Sequence, residues 1–163
     1  MRRMICIFCC MFLFFSLCAC NHQTEELQEP TNFYYINKNI SYNSPSGVIS
    51  AETREAVTFD GDLNLFLSSY LEGPKSSNLQ TYIPAEVRIV SCELSDNEAV
   101  LIFSEEFSKL SGYKLSAASC ALLMSVHDFL GVNALSISVE NGRLDDKDNL
   151  HLTMDDIVLM DSL

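Results

Sequence analysis

The sequence predicts an α+β domain: a two-layer sandwich with two helices packed on one face of a small mixed β-sheet. Three observations carry this. Residues 61–72 and 114–130 repeat apolar side chains at helical spacing. Residues 87–94 (VRIVSCEL) and 98–103 (EAVLIF) are short β-type runs separated by Ser95-Asp96-Asn97, which is turn chemistry. FYYI at 33–36 and ALSISVE at 134–140 read as further strands, the second alternating with period two. The resulting order, β-α-β-β-α-β, gives two layers around one core.

The elements follow in order. The first strand is Phe33-Tyr34-Tyr35-Ile36, aromatic and β-branched. A polar loop around Asn43-Ser44-Pro45 leads to a short strand piece at Val48-Ile49, before the charged AETREA. Asp60 is the expected cap of the first helix, whose apolar face is Leu63, Phe66, Leu67, Tyr70 and Leu71. Gly73-Pro74 stops it, because Gly suits the left-handed position after a helix and Pro cannot continue one. The hairpin 87–103 comes next. Ser104 is placed to cap a short turn over Glu105-Glu106-Phe107, and Gly112 reads as a break. The second helix, 114–130, carries the stripe Leu115, Ala118, Leu122, Val126 and Phe129 and closes at Gly131. Asn141-Gly142 after ALSISVE is a type I′ turn pair. The tail NLHLTMDDIVLM supplies one more extended piece. No internal repeat is visible.

The N-terminus addresses location. Met1-Arg2-Arg3 precedes an apolar run from Met4 to Leu17, too short for a span of roughly 20 residues. Its length and flanks are those of a secretory signal peptide. Leu17-Cys18-Ala19-Cys20 resembles the lipobox of bacterial lipoproteins: an aliphatic residue, a permissive one, a small one, then Cys. That resemblance implies a signal at 1–19, cleavage before Cys20, and lipid on the Cys20 thiol. Cys6, Cys9, Cys10 and Cys18 would leave with the signal. Their apolar setting has nothing to lower a thiol pKa, which argues against redox work. Residues 20–31 then form the lipidated Cys and an acidic, Pro-containing tether, and 32–163 the folded domain. The expected location is the extracytoplasmic face of the membrane, held by two or three acyl chains.

Composition narrows the partners. The formal charge is −12, and loss of Arg2 and Arg3 makes it more negative. Such a chain repels nucleic acid and anionic headgroups, and no basic cluster offsets this. Two further cysteines, Cys92 and Cys120, have two readings: a disulfide, which the compartment permits, or two thiols packed as small hydrophobes. Two cysteines are not a disulfide framework.

Four pieces, in this order, resemble the GerMN domain of sporulation and spore-germination proteins. They are Leu71-Glu72-Gly73-Pro74 at a helix end, Tyr82-Ile83-Pro84 before a strand, Ile102-Phe103-Ser104-Glu105-Glu106-Phe107 after the hairpin, and Phe129-Leu130-Gly131-Val132 before a strand ending at Asn141-Gly142. The likeness spans roughly residues 32 to 155. Departures are Lys75 where a small hydroxyl residue is usual, Glu86-Val87 for Gly-Thr, and Ser125-Val126 for Thr-Leu. The resemblance implies a fold like the small ring-building modules of sporulation and secretion complexes. It also implies structural motif roles for Leu71, Gly73, Pro74, Ile83, Pro84, Ser104, Glu106, Phe107, Gly131 and Val132.

Little in the sequence points to catalysis. His127 lies on the second helix and His151 in the tail, near no Gly-x-Ser-x-Gly elbow. Adjacent Glu105 and Glu106 cannot face one site from a regular element. The oxygen-rich run Asp145-Asp146-Lys147-Asp148-Asn149 lacks the central Gly and distant Glu of a calcium loop, and the Cys and His lack zinc spacing. No metal, cofactor or enzymatic activity is expected. One surface stands out. Opposite the stripe of the second helix lie Ala117, Cys120, Ala121 and Met124, where a solvent face would carry charge. Either the first helix covers this face or it is an apolar patch for a partner. The expected role is therefore structural: docking to an envelope or sporulation protein, with self-association open. The alternative is an extracytoplasmic binder of a small ligand or cell-wall fragment, which requires a concave pocket with convergent polar groups.

Overall fold

The computed structural model describes residues 30–39, 47–54 and 59–161, the stretch 158–161 by backbone alone. The leader, Cys20, the tether to residue 29 and the Asn43-Ser44-Pro45 loop lie outside the described residues. The order is β1 (Thr31–Asn37), β2 (Ile49–Arg54), α1 (Leu63–Leu71), β3 (Leu79–Gln80), β4 (Ile89–Ser95), β5 (Glu98–Phe103), a 3-10 helix (Glu105–Lys109), α2 (Gly112–Leu130), β6 (Ala134–Val139), β7 (Asn149–Thr153) and α3 (Met154–Asp161). The class is α+β, as expected, and the strands divide between two sheets. One runs β2-β1-β3, the other β4-β5-β6-β7. Among the described residues only β5 and β6 pair in parallel. Parallel neighbours need a long crossover, and α2 is that crossover.

The first sheet is larger than the sequence suggested. β2 continues through Ala51-Glu52-Thr53-Arg54, with Tyr34 opposite Ala51 and Thr31 opposite Arg54. α1 is capped two residues later than expected. Asp62, not Asp60, accepts the Asn64 and Leu65 N–H groups at 2.9 and 3.1 Å. Asp60 instead takes a left-handed φ of 47° in the turn that brings Asp62 N–H to Phe59 C=O. The helix does end at Gly73, whose φ is 81°.

In the second sheet Ser95 pairs with Glu98 across Asp96-Asn97, as the hairpin predicted. Gly112 opens α2 rather than breaking the chain, and Gly131 closes it at φ 72°. Asn141-Gly142 is not a type I′ turn. That turn needs positive φ at both residues, and only Asn141 has it. β7 starts at Asn149. Gly142 is required for a different reason: a Cβ there would lie 2.9 Å from Val139 Cγ2. The tail holds the expected strand, β7, followed by α3.

One main core joins both sheets and α1 and α2. An aromatic run crosses it: Phe129 stacks on Phe66 at 4.3 Å, Phe66 on Phe33 at 4.9 Å, and Tyr70 on Tyr35 at 4.9 Å. Each such pair adds about 0.5–1.5 kcal/mol beyond its buried area.

Of the two readings of the α2 face, the partner patch is ruled out by this packing and cover from within the chain holds. Ala117, Cys120 and Ala121 are buried, and Met124 is half-buried against the core. The cover is β1, not α1. Ile36 of β1 packs on Ala117 and Ala121 in a small separate cluster. Small side chains let the strand approach the helix closely. β3 pairs only Ile36 and Asn37 of β1, so α2 takes over the rest of that edge: Ser125 Oγ accepts the Tyr34 N–H at 2.8 Å and donates to Ala121 C=O. Cys92 and Cys120 form no disulfide.

Candidate functional site

The most densely bonded polar site is built from β2. Glu52 and Arg54 are two residues apart on a strand and therefore share a face. Arg54 is only 6% exposed. Its Nε donates to Glu52 Oε1 at 2.9 Å, Nη1 to Ser69 C=O at 3.1 Å, and Nη2 to Gly73 C=O at 2.8 Å and the Tyr35 hydroxyl at 3.2 Å. The guanidinium also lies 4.3 Å over the Phe33 ring. Glu52 Oε2 accepts the N–H groups of Lys75 and Ser76 at 2.9 and 2.7 Å. One ion pair thus holds the whole turn after Gly73-Pro74. Lys75 takes part through its backbone, so this contact does not depend on which side chain stands there. Burial pushes the Glu52 carboxyl up, but the Ser76 and Lys75 N–H groups and Arg54 outweigh it and hold it below the usual range. Burial raises the Tyr35 and Tyr70 phenols. Tyr35 donates to Tyr70 C=O, and Tyr70 to Tyr34 C=O.

The remaining motif residues are also structural in placement. Ser104 sits at the cap position of the 3-10 helix, but its hydroxyl accepts the Arg88 N–H at 3.0 Å, locking the hairpin end. The same hydroxyl, with Glu106's own N–H, holds the Glu106 carboxyl below its usual range. Phe107 is fully buried and stacks on Phe103 at 4.7 Å. Pro84 C=O accepts the Val87 N–H, while Ile83 and Val132 fill the core. Leu71 packs partly buried against it.

The histidines are placed by contacts the sequence did not show. His127 Nδ1 lies 2.8 Å from Val132 C=O, tying the end of α2 to the chain leaving it. On the outer face of the second sheet, His151 Nδ1 lies 3.1 Å from Ser136 Oγ and 3.2 Å from Glu98 Oε1, and Ser136 also donates to that same oxygen. A catalytic relay puts the carboxylate and the hydroxyl on opposite ring nitrogens. Here both meet Nδ1, and the hydroxyl is bound directly to the carboxylate, so the trio bridges three strands without forming a relay.

A groove of about 330 Å³ lies between α1 and the start of β4, lined by Asn64, Ser68, Leu71, Val87, Arg88 and Ile89. Among the described residues no three His, Cys, Asp or Glu side chains group as metal ligands, and no helix is long and apolar enough to cross a membrane.

Sequence reasoning missed the Glu52–Arg54 site because AETREA reads only as a charged stretch after a short strand piece. The signal was present as opposite charges at i and i+2, the spacing of one strand face.

The fold and these contacts can be set beside known proteins. A family model named Germane, described as sporulation and spore germination, matches residues 32–145. No curated protein matches the chain. Among solved structures, the tandem GerMN domains of the sporulation protein GerM from Bacillus subtilis are similar at TM-score 0.57 and 20% identity, over 77% of this chain and 45% of that one. The chain thus spans under half the length of the tandem protein. The first GerMN domain of the same protein gives TM-score 0.59 and 15% identity over 78% and 98% of the two chains. A Clostridium perfringens protein assigned by name as a lipoprotein gives 0.52 and 17% over 80% and 93%.

Proposed function

This chain belongs to the Germane family of sporulation and spore germination, the GerMN domain, and from that premise we propose that it is a lipid-anchored, extracytoplasmic interaction module. It is held to the membrane by acyl groups on Cys20. Its work is to dock to another envelope or sporulation protein, without catalysis and without a cofactor. The observation that carries this reading is the family match over residues 32–145, which begins a short acidic stretch after the Leu17-Cys18-Ala19-Cys20 sequence. The similar Clostridium perfringens protein is itself named a lipoprotein. The convergence of Ser136 and Glu98 on one nitrogen of His151 supports a non-catalytic role.

The test uses the full chain in its host. Fractionation and labelling with an alkyne fatty acid should place the wild type in membranes carrying the label. Cys20→Ser should lose the label and stay as an uncleaved precursor. Labelled Cys20→Ser would overturn the anchor. Cross-linking at vegetative and sporulating stages should recover one reproducible envelope partner, and recovery of none at either stage would overturn the docking role.

A second reading rests on the groove between α1 and β4. Its volume and its mixed lining of Asn64, Ser68 and Arg88 with Leu71, Val87 and Ile89 suit a small polar ligand or cell-wall fragment. Saturable shifts of these residues on titration with soluble muropeptides would favour it over docking.

A further inference from the structure

Charge is sorted along the axis of α2. Several contacts gather one end. Asn32, at the start of β1, donates to Asp128 near the end of α2 at 3.1 Å. Phe59, just before α1, meets Phe129 of α2 edge-on at 5.6 Å. The Asn97 carbonyl in the β4–β5 turn accepts the Asn133 and Ala134 N–H groups, and the Asn133 carbonyl accepts the Met154 N–H at the start of α3. This end therefore carries Asp60, Asp62, Asp96, Asp128, Asp155 and Asp156, all exposed. Its only Lys or Arg among the described residues is Arg54, opposite Thr31, which is buried and already paired with Glu52. The C-terminus of α2 adds the negative end of its dipole.

The other cations stand elsewhere. Arg2 and Arg3 precede the domain, and Lys75 lies on the flank with its N–H on Glu52. Lys38, Arg88, Lys109, Lys114, Arg143 and Lys147 sit at the opposite end, where β1 and β5 finish and α2 begins. There the Ser104 N–H meets the Arg88 carbonyl and the Gly112 N–H meets Asp145. Carboxylates such as Glu86, Glu105 and Asp146 are interspersed with these cations. The 19 residues of α2 set the two ends about 28 Å apart at 1.5 Å per residue. That exceeds the screening length of about 8 Å at 0.15 M salt, so the far cations do not offset the near carboxylates.

We infer that this asymmetry acts on an anionic lipid leaflet, which repels the acidic end, holds it off the surface and turns the mixed end outward. The tether is what brings the acidic end to the membrane. Thr31 is at that end, and it lies eleven residues after Cys20, a reach of at most about 40 Å when fully extended. The intervening residues add Glu25, Glu26 and Glu29. Repulsion from anionic headgroups decays within a screening length, which is shorter than the tether. The tether thus permits both contact with the lipid and a lift of about 8 Å, and the charge selects the lift. This rests on the Cys20 anchor proposed above and adds which end of the domain is left facing a partner.

The test seats the acylated full chain on vesicles through its own anchor and measures energy transfer to a rhodamine-labelled lipid. A dye is placed at the acidic end by Ser95→Cys, or at the far end by Ala85→Cys, both exposed positions. The background is Cys92→Ser, and Cys120 is buried. On phosphatidylcholine the Ser95 site should transfer more than the Ala85 site. Adding phosphatidylglycerol should reduce transfer from Ser95, and 1 M salt, which cuts screening to about 3 Å, should restore it. Two triple variants then change net charge equally at opposite ends. Asp60→Asn/Asp96→Asn/Asp155→Asn should shrink the phosphatidylglycerol response; Asn tolerates the positive φ at Asp60 and Asp96. Glu86→Gln/Glu105→Gln/Asp146→Asn should leave the response intact. Equal transfer from the two sites, or no response to phosphatidylglycerol, overturns the inference. So does an equal response in the two triple variants, which would make net charge the cause and not its placement. A chain that does not float with the vesicles overturns the anchor and this inference together. One that floats but does not respond overturns this inference alone.

Discussion

Arg54 Nη2 donates to the Gly73 carbonyl at 2.8 Å, joining the end of the second strand to the turn that stops the first helix. Gly73 can offer that carbonyl because its φ of 81° turns the chain back toward β2. The Gly-Pro turn is thus more than a helix stop: a buried cation reads its backbone.

Removing that cation leaves Glu52 buried without its partner and the Gly73 and Ser69 carbonyls without a donor. Arg54→Ala is expected to lose about 3–5 kcal/mol, the range for breaking one side of a buried pair. Urea unfolding measures it. A loss under about 1 kcal/mol, the scale of an exposed pair, would show that the pair is merely decorative.

Acid should act on the same pair. The Glu52 carboxyl is held below the ordinary glutamate value in the folded chain. A group with a depressed folded pKa contributes stability that is fully present above its unfolded value and lost as pH falls through the folded one. Stability should therefore decline below about pH 4.5, and Glu52→Gln should make the profile shallower there while leaving its shape near neutrality unchanged. Identical acid limbs in the two proteins would rule Glu52 out as a contributor.

Ser125 is expected to behave as a backbone partner. Ser125→Ala leaves the Tyr34 N–H without its acceptor, at a cost of about 1–3 kcal/mol. Hydrogen exchange at the Tyr34 amide should accelerate more than at Phe33 or Tyr35, its neighbours in β1. Uniform acceleration along the strand would point to loosened packing instead.

Gly131 and Gly142 should respond differently to alanine. At Gly131 no atom lies near an added Cβ, but φ is 72°. Alanine there should cost roughly 1–2 kcal/mol from backbone strain, and Asn, which tolerates that region, should cost less. At Gly142 the objection is contact with Val139 at 2.9 Å. There Val139→Ala should partly rescue Gly142→Ala. Thermal melts of the four variants decide between strain and contact, and equal costs for Ala and Asn at Gly131 would contradict the strain account.

The sequence by itself determined the α+β class, the two main helices, the hairpin and the helix ends at Gly73 and Gly131. These are local: periodicity, turn residues and left-handed glycines act within a few residues of one another. It also marked Ala117, Cys120 and Ala121 as a face that had to be covered. What covers them was decided by tertiary structure, because the choice between α1, β1 and a partner depends on long-range pairing. The short β3 leaves the β1 edge to Ser125, and that brings α2 under Ile36. The division into two sheets, the single left-handed residue at Asn141, and the burial of Arg54 have the same origin. A charge in a strand looks solvated until the turn, the ring and the carbonyls that surround it arrive from other parts of the chain.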